Sequence, residues 1–297
     1  MALGAGFESL ANVLASEDEI VRLDPEHPGF RDPVYRHRRN EIAKLALSFR
    51  EGDPLPDVDY TPEEQAVWRT TWERLAPLHE KVACREWLAS SQVLGLDRTR
   101  VPQLADVNEK LKLSDFRMLP VAGLISGRGF LSAMAEGVFL ATQYMRHHSV
   151  PFYTPEPDVV HELVGHAAGL FHPDIVRLSR LFGEAARHAD EAGMKRLELI
   201  YWYTLEFGLV HEDGELKTYG AGLLSSFGEM ERFEREAEIR SLEGVRPFSN
   251  IRARLQGAPE SDVYAKVLGG PARHGGFIVR FTVLPEVVRQ AIAAASA

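Results

Sequence analysis

Cysteine is nearly absent from this sequence, and so are the segments that mark secreted or membrane-spanning proteins. The single cysteine among 297 residues is Cys84, which excludes an intramolecular disulfide. No apolar run is long enough to cross a bilayer, and residues 1–14 lack the basic start of a signal peptide. Long runs of one charge are missing as well. The sequence therefore predicts a cytoplasmic protein without a membrane partner.

Charge is moderately acidic and evenly mixed. The formal net charge is -9 at pH 7, and the densest basic cluster is Arg36, Arg38 and Arg39. We interpret this cluster as a solvated helix face and not as a nucleic-acid surface, because the chain around it is mixed in charge. Hydrophobic residues make up 45% of the chain, enough for a sizeable core.

Helical periodicity dominates the chain. Apolar residues recur at helical spacing in 33–49, and the run from Thr61 to Glu64 is a typical helix start with a capping box. Cys84 falls in another helical stretch, 80–88, and is predicted to lie in or near the core. The other predicted helices are 130–145, one starting near residue 159, 173–190, 194–207 and 284–295.

Strand-like patterns are few and short. The two best lie at 215–219 and 276–283. Residues 1–30 lack firm periodicity and are predicted to be a loosely attached arm. Residues 31–297 are predicted to form a single, mainly α domain with a few short strands.

Two histidines lie in one apolar segment, His161-Glu162-Leu163-Val164-Gly165-His166. Neutral imidazole is a good ligand for Zn, Fe, Cu and Ni, and two imidazoles beside a glutamate indicate a metal site. The histidines are five residues apart, which separates them by about 140° around a regular α-helix. They can bind one ion only where the helix is irregular or where the ion lies near its end. Gly165 permits such an irregularity.

Glu206 is the only charged residue in the apolar run 199–210. A buried carboxylate is costly unless it is paired or bound to a metal ion. With His161 and His166 it completes the two-histidine, one-carboxylate set of non-haem iron(II) oxygenases. The same ligands suit a catalytic zinc, and in a zinc peptidase Glu162 would activate the bound water. The ligand types alone leave iron and zinc open.

Three longer motifs resemble the signatures of the pterin-dependent aromatic amino acid hydroxylases. They are residues 154–166, 201–209 and 219–229, in the family's order. Weaker similarity extends the resemblance to roughly residues 28–235. It implies an aromatic-amino-acid-hydroxylase-like catalytic domain at 31–297. It also disfavours the two rival classes, a zinc metallopeptidase and a non-catalytic binding protein on the same scaffold.

The family hydroxylates the ring of phenylalanine, tyrosine or tryptophan with Fe(II), tetrahydrobiopterin or a related tetrahydropterin, and O2. The resemblance implies that His161, His166 and Glu206 bind the iron and that Glu162 acts catalytically near the metal and the pterin. Phenylalanine is the default substrate, with another aromatic amino acid or ring position as the alternative. The implied partners are small molecules: Arg146, Thr154, Trp202, Ser225 and Glu229 would contact the amino acid, and Gly123, Leu124, Phe130 and Tyr201 the pterin.

Two of these residues have roles that follow from their chemistry once the resemblance is granted. Arg146 matches the arginine that pairs with the substrate carboxylate, since a planar guanidinium makes two parallel hydrogen bonds to a carboxylate. Phe130 would stack on the flat pterin ring.

The resemblance is interrupted at several positions. The family usually has Ser and Asp where this chain has Gly127 and Gly129, so we expect a looser pterin loop. Leu140 replaces a frequent histidine. We find no regulatory domain before the motifs and no long heptad helix after them, which predicts a monomer or weak dimer.

Overall fold

The computed structural model describes residues 20–236, 240–241 and 277–278. This part of the chain is mainly helical with a few short strands, as predicted. Its helices are all too short or too polar to cross a membrane. Most of the predicted arm, residues 1–19, lies outside the described residues.

The first two helices begin where the sequence predicts. α1 (Pro33–Ser48) starts after Asp32, whose side chain accepts two backbone N–H groups of the first turn. α2 (Pro62–Val82) starts with the predicted capping box. The backbone N–H of Glu64 donates to the Thr61 hydroxyl, and the backbone N–H of Thr61 donates to the Glu64 carboxylate. Both helix starts satisfy donors that the helix leaves unpaired.

A two-residue break, Ala83 and Cys84, separates α2 from α3 (Arg85–Leu94), and α4 (Leu104–Leu111) follows. The continuous helix predicted at 80–88 is therefore wrong. Cys84 caps α3, and its backbone N–H donates to the carbonyl oxygen of Thr218 at 2.9 Å, which holds the break open. Cys84 is fully buried, as predicted, and burial raises the pKa of its thiol to about 12.

The helix predicted at 130–145 is wrong beyond its first turns. After β1 (Arg117–Pro120), α5 (Gly127–Ala135) ends early, and the chain reverses at Gly137 with φ +68°. A Cβ at Gly137 would lie 2.4 Å from a backbone carbonyl oxygen, so only glycine fits this turn. The chain then returns as β2 (Val138–Ala141), which pairs in parallel with β1.

The second half of the chain agrees better with the predictions. α6 (Pro173–His188) and α7 (Glu191–Tyr201) cover most of the helices predicted at 173–190 and 194–207. β3 (Leu209–Glu212) and β4 (Glu215–Thr218) form an antiparallel hairpin, which confirms the strand predicted at 215–219. The other described elements are α8 (Ala221–Leu224), α9 (Phe227–Glu236), β5 (Arg240–Ser241) and β6 (Phe277–Ile278). Of the strand predicted at 276–283 only β6 is described. The helix predicted at 284–295 lies outside the described residues.

The basic cluster on α1 is not a solvated helix face. Arg39 is 1% exposed, and its guanidinium donates to Glu156 at 3.0 Å and lies over the ring of Tyr144. Arg38 donates to Glu64 at 2.9 Å. The prediction is wrong for these two arginines because carboxylates distant in sequence fold over them, and a buried arginine needs such a partner.

The core positions the ligand-bearing segments. Buried side chains of α2, α6 and α7 form one cluster with residues of two π-helical segments, His161–Ala167 and Trp202–Glu206. α8 packs against the first of these segments, and α5 packs against α6. The predicted metal ligands are thus carried by segments embedded in the main core, where their side chains have little freedom.

Candidate metal centre

The two predicted histidine ligands lie on the first π-helical segment, His161–Ala167. A π-helix forms its hydrogen bonds between residues five apart, so residues at this spacing lie on one face. The irregularity that the spacing requires is present. Gly165 lies within this segment, and a Cβ there would lie 2.7 Å from the carbonyl oxygen of Ala221. Glycine is needed here for the close approach of α8.

Three donor groups converge on one point. His161 Nε2 and His166 Nε2 are 3.0 Å apart. The Glu206 carboxylate lies 3.0 Å from His166 Nε2 and 3.5 Å from His161 Nε2. Two cis ligands of an octahedral ion, each about 2.1 Å from it, are about 3.0 Å apart. The residues present therefore fit a metal ion held on one face by these three side chains.

Hydrogen bonding sets the ring orientation of His161. The Ser225 hydroxyl donates to the carbonyl oxygen of Ala221 at 2.8 Å, which leaves its oxygen to accept from His161 Nδ1–H at 3.0 Å. A proton on Nδ1 leaves the Nε2 lone pair facing the other two donors, as metal-binding histidines require. Ser225, predicted to contact the amino acid, thus lies directly behind a predicted ligand.

Electrostatics favour a cation at this point. Burial lowers the pKa of His161 to about 4, which keeps the imidazole neutral. Burial alone would raise the pKa of Glu206, but His166 and His161 hold it below its ordinary value, helped by a hydrogen bond from Tyr201. Burial opposes protonation of His166, but the Glu206 carboxylate outweighs it and raises the pKa of His166. Two imidazoles and an ionised carboxylate attract a divalent cation.

A second carboxylate lies beside the triad. Glu162 has a ligand atom within 4.8 Å of donor atoms of both histidines. Its Oε1 accepts hydrogen bonds from the backbone N–H and the hydroxyl of Thr142, at 3.1 and 3.0 Å. Burial raises the pKa of Glu162 to about 7. The geometry favours Glu206 over Glu162 as the predicted third ligand, because Glu206 lies against both Nε2 atoms while Glu162 is anchored to Thr142.

Arg146 is held by a buried ion pair. Its Nε and Nη2 donate to the two carboxylate oxygens of Asp158, at 2.8 and 2.7 Å, and both side chains are almost fully buried. The backbone N–H of His161 also donates to Asp158, at 3.1 Å. The predicted carboxylate-binding arginine is therefore fixed relative to a predicted metal ligand, with Nη1 only weakly engaged by a backbone oxygen at 3.5 Å.

Sequence reasoning assigned no role to Asp158 or Thr142. Asp158 had a signal, because it is an acidic residue at the start of the apolar histidine segment. Thr142 had none, since its contact with Glu162 spans 20 residues and depends on where β2 ends.

The other residues predicted around the amino acid make varied contacts. Trp202 begins the second π-helical segment and packs on Phe207 with ring centroids 4.6 Å apart. Thr154 donates its hydroxyl proton to the carbonyl oxygen of Glu156 at 2.7 Å. Glu229 lies in the first turn of α9. Ser225 thus contacts His161 directly, and Arg146 is connected to His161 through Asp158. The hydroxyl of Thr154 instead contacts its own loop.

The predicted pterin residues fall into two groups. Phe130 on α5 and Tyr201 on α7 meet edge to face with ring centroids 5.6 Å apart, and Tyr201 donates to Glu206. Gly123 and Leu124 follow β1, and Leu124 is 61% exposed. The structure places the aromatic pair beside the triad and leaves Leu124 open to solvent.

Gly127 and Gly129 do not lie in a loop, where they were expected, but at a helix start. Both glycines lie in the first turn of α5, where the hydroxyl of Ser126 accepts the backbone N–H of Gly129 at 3.2 Å. A Cβ at Gly127 would lie 1.9 Å from Oε1 of Glu198. The space of the missing side chain is taken by a carboxylate from α7, and the cap orders the turn.

The chain matches the family model described as biopterin-dependent aromatic amino acid hydroxylase over residues 8–256. It is 45% identical over 216 residues to phenylalanine-4-hydroxylase of Caenorhabditis elegans, covering 71% of this chain and 47% of that protein. It is 44% identical over 238 residues to tyrosine 3-monooxygenase of Canis lupus familiaris, covering 77% and 48%. The chain spans about half the length of these curated relatives.

A solved structure shares the fold. The phenylalanine hydroxylase of Chromobacterium violaceum, with bound iron(III) and oxidised cofactor 7,8-dihydrobiopterin, is 25% identical to this chain, with a TM-score of 0.68. The match covers 86% of this chain and 88% of that chain. The predicted fold class is confirmed, as is the prediction of iron and a biopterin cofactor. The roles of individual residues stay predictions.

Proposed function

Because the chain belongs to the biopterin-dependent aromatic amino acid hydroxylase family, we propose that it hydroxylates the ring of an aromatic amino acid with Fe(II), a tetrahydropterin and O2. The observation that carries this proposal is the spacing of the donor atoms of His161, His166 and Glu206. Three ligands on one face leave three positions of an octahedral ion open for water, dioxygen or substrate.

In this proposal the bound iron and pterin supply the redox chemistry, and the protein supplies binding and orientation. His161, His166 and Glu206 would hold the iron, and Phe130 and Tyr201 would border the pterin. The chemistry that iron and a reduced pterin supply when bound is the reductive activation of dioxygen. The side chains that are not ligands orient the amino acid, exclude water and hold a proton.

Arg146 orients the substrate in this proposal. Its guanidinium is positioned by Asp158, which occupies Nε and one proton of Nη2. Nη1 and the remaining Nη2 proton are left to donate to the amino acid carboxylate. Because Asp158 also accepts the backbone N–H of His161, the carboxylate end of the substrate is held at a fixed place relative to the metal site.

Glu162 holds a proton near the metal. Its Oε1 is committed to Thr142, so the proton resides on Oε2. With a pKa raised to about 7 by burial, the carboxyl group both gives and takes a proton near neutral pH. Buried rings nearby exclude water, including Phe139, which lies 4.6 Å from the His166 ring.

Phenylalanine is the substrate we propose. The similarity to the C. violaceum phenylalanine hydroxylase supports it. Similarity to tyrosine 3-monooxygenase at nearly the same identity keeps tyrosine as the alternative, with tryptophan or another ring position next. We also propose that residues 31–297 form the catalytic domain after an arm at 1–30, and that the protein is a cytoplasmic monomer or weak dimer.

Product analysis tests the proposal. The iron-loaded protein is incubated with a tetrahydropterin and O2, separately with phenylalanine, tyrosine and tryptophan, and products are identified by chromatography and mass. We expect ring-hydroxylated phenylalanine at the highest kcat/KM, and no product from Glu206→Ala. Absence of a pterin-dependent product from all three amino acids would overturn the activity, and zinc-dependent peptide cleavage would favour the peptidase.

A further inference from the structure

A second cluster of metal-ligating side chains lies apart from the triad. Asp32, His147 and His148 each offer a ligand atom, and these atoms all lie within 4.8 Å of one another. None of the three belongs to the predicted iron, pterin or amino acid sites. We propose that this cluster binds a second divalent transition-metal ion, of which Zn²⁺ is the best fit.

A tight turn brings the two imidazoles to one side. Consecutive side chains of an extended chain point in opposite directions. Here the backbone N–H of Val150 donates to the carbonyl oxygen of His147, which closes a four-residue turn. The rings of His147 and His148 have centroids 4.3 Å apart, and a nitrogen of each lies within 4.8 Å of an Asp32 carboxylate oxygen. The turn therefore presents adjacent imidazoles to one carboxylate.

His147 directs its Nε2 at Asp32. Its Nε2 lies 3.2 Å from Asp32 Oδ2. Its Nδ1 lies 2.7 Å from the hydroxyl oxygen of Ser149 and 3.3 Å from the Ser149 backbone nitrogen. Nδ1 accepts the backbone N–H of Ser149, so Nε2 carries a proton that it donates to Asp32. An ion bound between Nε2 and Asp32 would replace that proton. The ring of Tyr35 packs edge-on against His147 and fixes the plane.

One carboxylate oxygen of Asp32 takes no part in capping the helix. Its Oδ1 accepts the backbone N–H groups of Val34 and Tyr35, at 2.9 and 3.1 Å, and so caps α1. Oδ2 is the oxygen that faces His147. The hydrogen bonds from Tyr35 and His147 lower the pKa of Asp32. The group is an ionised, positioned ligand.

A further carboxylate lies next to His148, and its exposed side chain can turn toward the ion as a fourth ligand. Oε1 of Glu63, in the first turn of α2, lies 3.5 Å from His148 Nδ1. Two imidazoles and two carboxylates suit a four-coordinate Zn²⁺, whereas Mg²⁺ and Ca²⁺ prefer all-oxygen sites. The side chains of His148 and Glu63 are 43% and 65% exposed, so an ion can enter from solvent.

The site would join three parts of the chain. Asp32 precedes α1, Glu63 lies at the start of α2, and His147 directly follows Arg146. An ion bound there ties both helix starts to the segment that carries Arg146. We expect it to raise the melting temperature, since an ion that binds only the folded chain stabilises it.

Metal counting tests the site. The purified full-length chain is dialysed to equilibrium against a zinc salt at buffered free Zn²⁺, and bound zinc is measured by mass spectrometry. We expect the unaltered protein to hold one more zinc ion per chain than His148→Gln. His211→Gln removes another exposed histidine, on β3, and should bind zinc like the unaltered protein. Equal zinc in the unaltered protein and His148→Gln overturns the proposal.

Asp32→Asn separates ligation from helix capping. Asparagine caps helices as well as aspartate does, so the variant keeps the start of α1, and its zinc-induced shift is measured against its own metal-free melting temperature. We expect it to lose the extra zinc ion and the zinc-induced rise in melting temperature. Retention of both in Asp32→Asn would overturn the site. Glu206→Ala should lose the other zinc ion only, so the two centres are scored independently.

Discussion

His161 and His166 present their Nε2 atoms to each other at 3.0 Å although five residues separate them in sequence. A regular α-helix would direct these rings about 140° apart. The π-helical segment brings them together, and the Glu206 carboxylate lies against both. Four predictions follow from this site and from the helix start at Gly127.

Glu206→Ala should lower iron content and abolish turnover. Iron affinity should fall by more than the roughly 100-fold that is lost when a hydrogen-bonded neighbour of a ligand is removed. The fold should persist, because the carboxylate contacts only the site. Iron analysis, turnover and the melting temperature of metal-free protein check this. Glu184→Ala, an exposed glutamate on α6, is the control. Unchanged turnover in Glu206→Ala would remove Glu206 from the site.

Ser225→Ala should weaken iron binding by roughly 10- to 100-fold, because it removes the hydrogen bond that fixes the His161 ring. Competition with a chelator measures the affinity. Ser226→Ala is a matched control, since the Ser226 hydroxyl contacts a backbone N–H and no predicted ligand. Equal affinities for the two variants would contradict the orienting role.

Glu162→Gln should flatten the pH dependence of stability in the metal-free protein. Burial raises the pKa of Glu162 from 4.5 to about 7. The folded state then binds this proton more tightly than the unfolded chain, so the stabilisation is present below pH 4.5 and is lost as pH rises through about 7. Glutamine stays neutral and accepts the same bonds from Thr142.

Urea unfolding at about pH 5 and about pH 8 checks this prediction. The unaltered protein should lose more unfolding free energy between the two values than Glu162→Gln does. Exposed Glu184→Gln should behave like the unaltered protein. Parallel changes in unaltered protein and Glu162→Gln would show that the Glu162 pKa is not raised.

Gly127→Ser should be coupled energetically to Glu198. The serine Cβ would lie 1.9 Å from Oε1 of Glu198, so Glu198 must move, at a cost of about 1 kcal/mol. In the Glu198→Ala background the space is open and the cost should vanish. A double-mutant cycle by urea unfolding should give a coupling of about 0.5–2 kcal/mol. Additive free energies would rule out the steric pairing.

Residue chemistry was enough to predict His161, His166 and Glu206 together, because ligand types and a lone charge in an apolar run are local features. Even the need for an irregular helix followed from the five-residue spacing. The π-helical form did not, since hydrophobic periodicity does not distinguish it from an α-helix in a segment that is buried on all sides.

The errors concern contacts between distant parts of the chain. Arg39 is buried because Glu156, 117 residues away, pairs with it. The side chain of Glu198, on another helix, occupies the space that a side chain at Gly127 would need. α5 ends early because the chain reverses direction after it. The reversal is needed for β2 to pair in parallel with β1. Single-sequence patterns carry no information on such pairs.

The π-helical segment His161–Ala167 has a consequence for how such a site arises. A π-turn holds one residue more than the α-turn it replaces, so it is equivalent to a single-residue insertion in a regular helix. Removing a residue between the histidines would restore α-helical spacing and give the four-residue interval of zinc peptidase helices. A single-codon insertion or deletion thus separates two arrangements that place paired imidazoles on one metal ion.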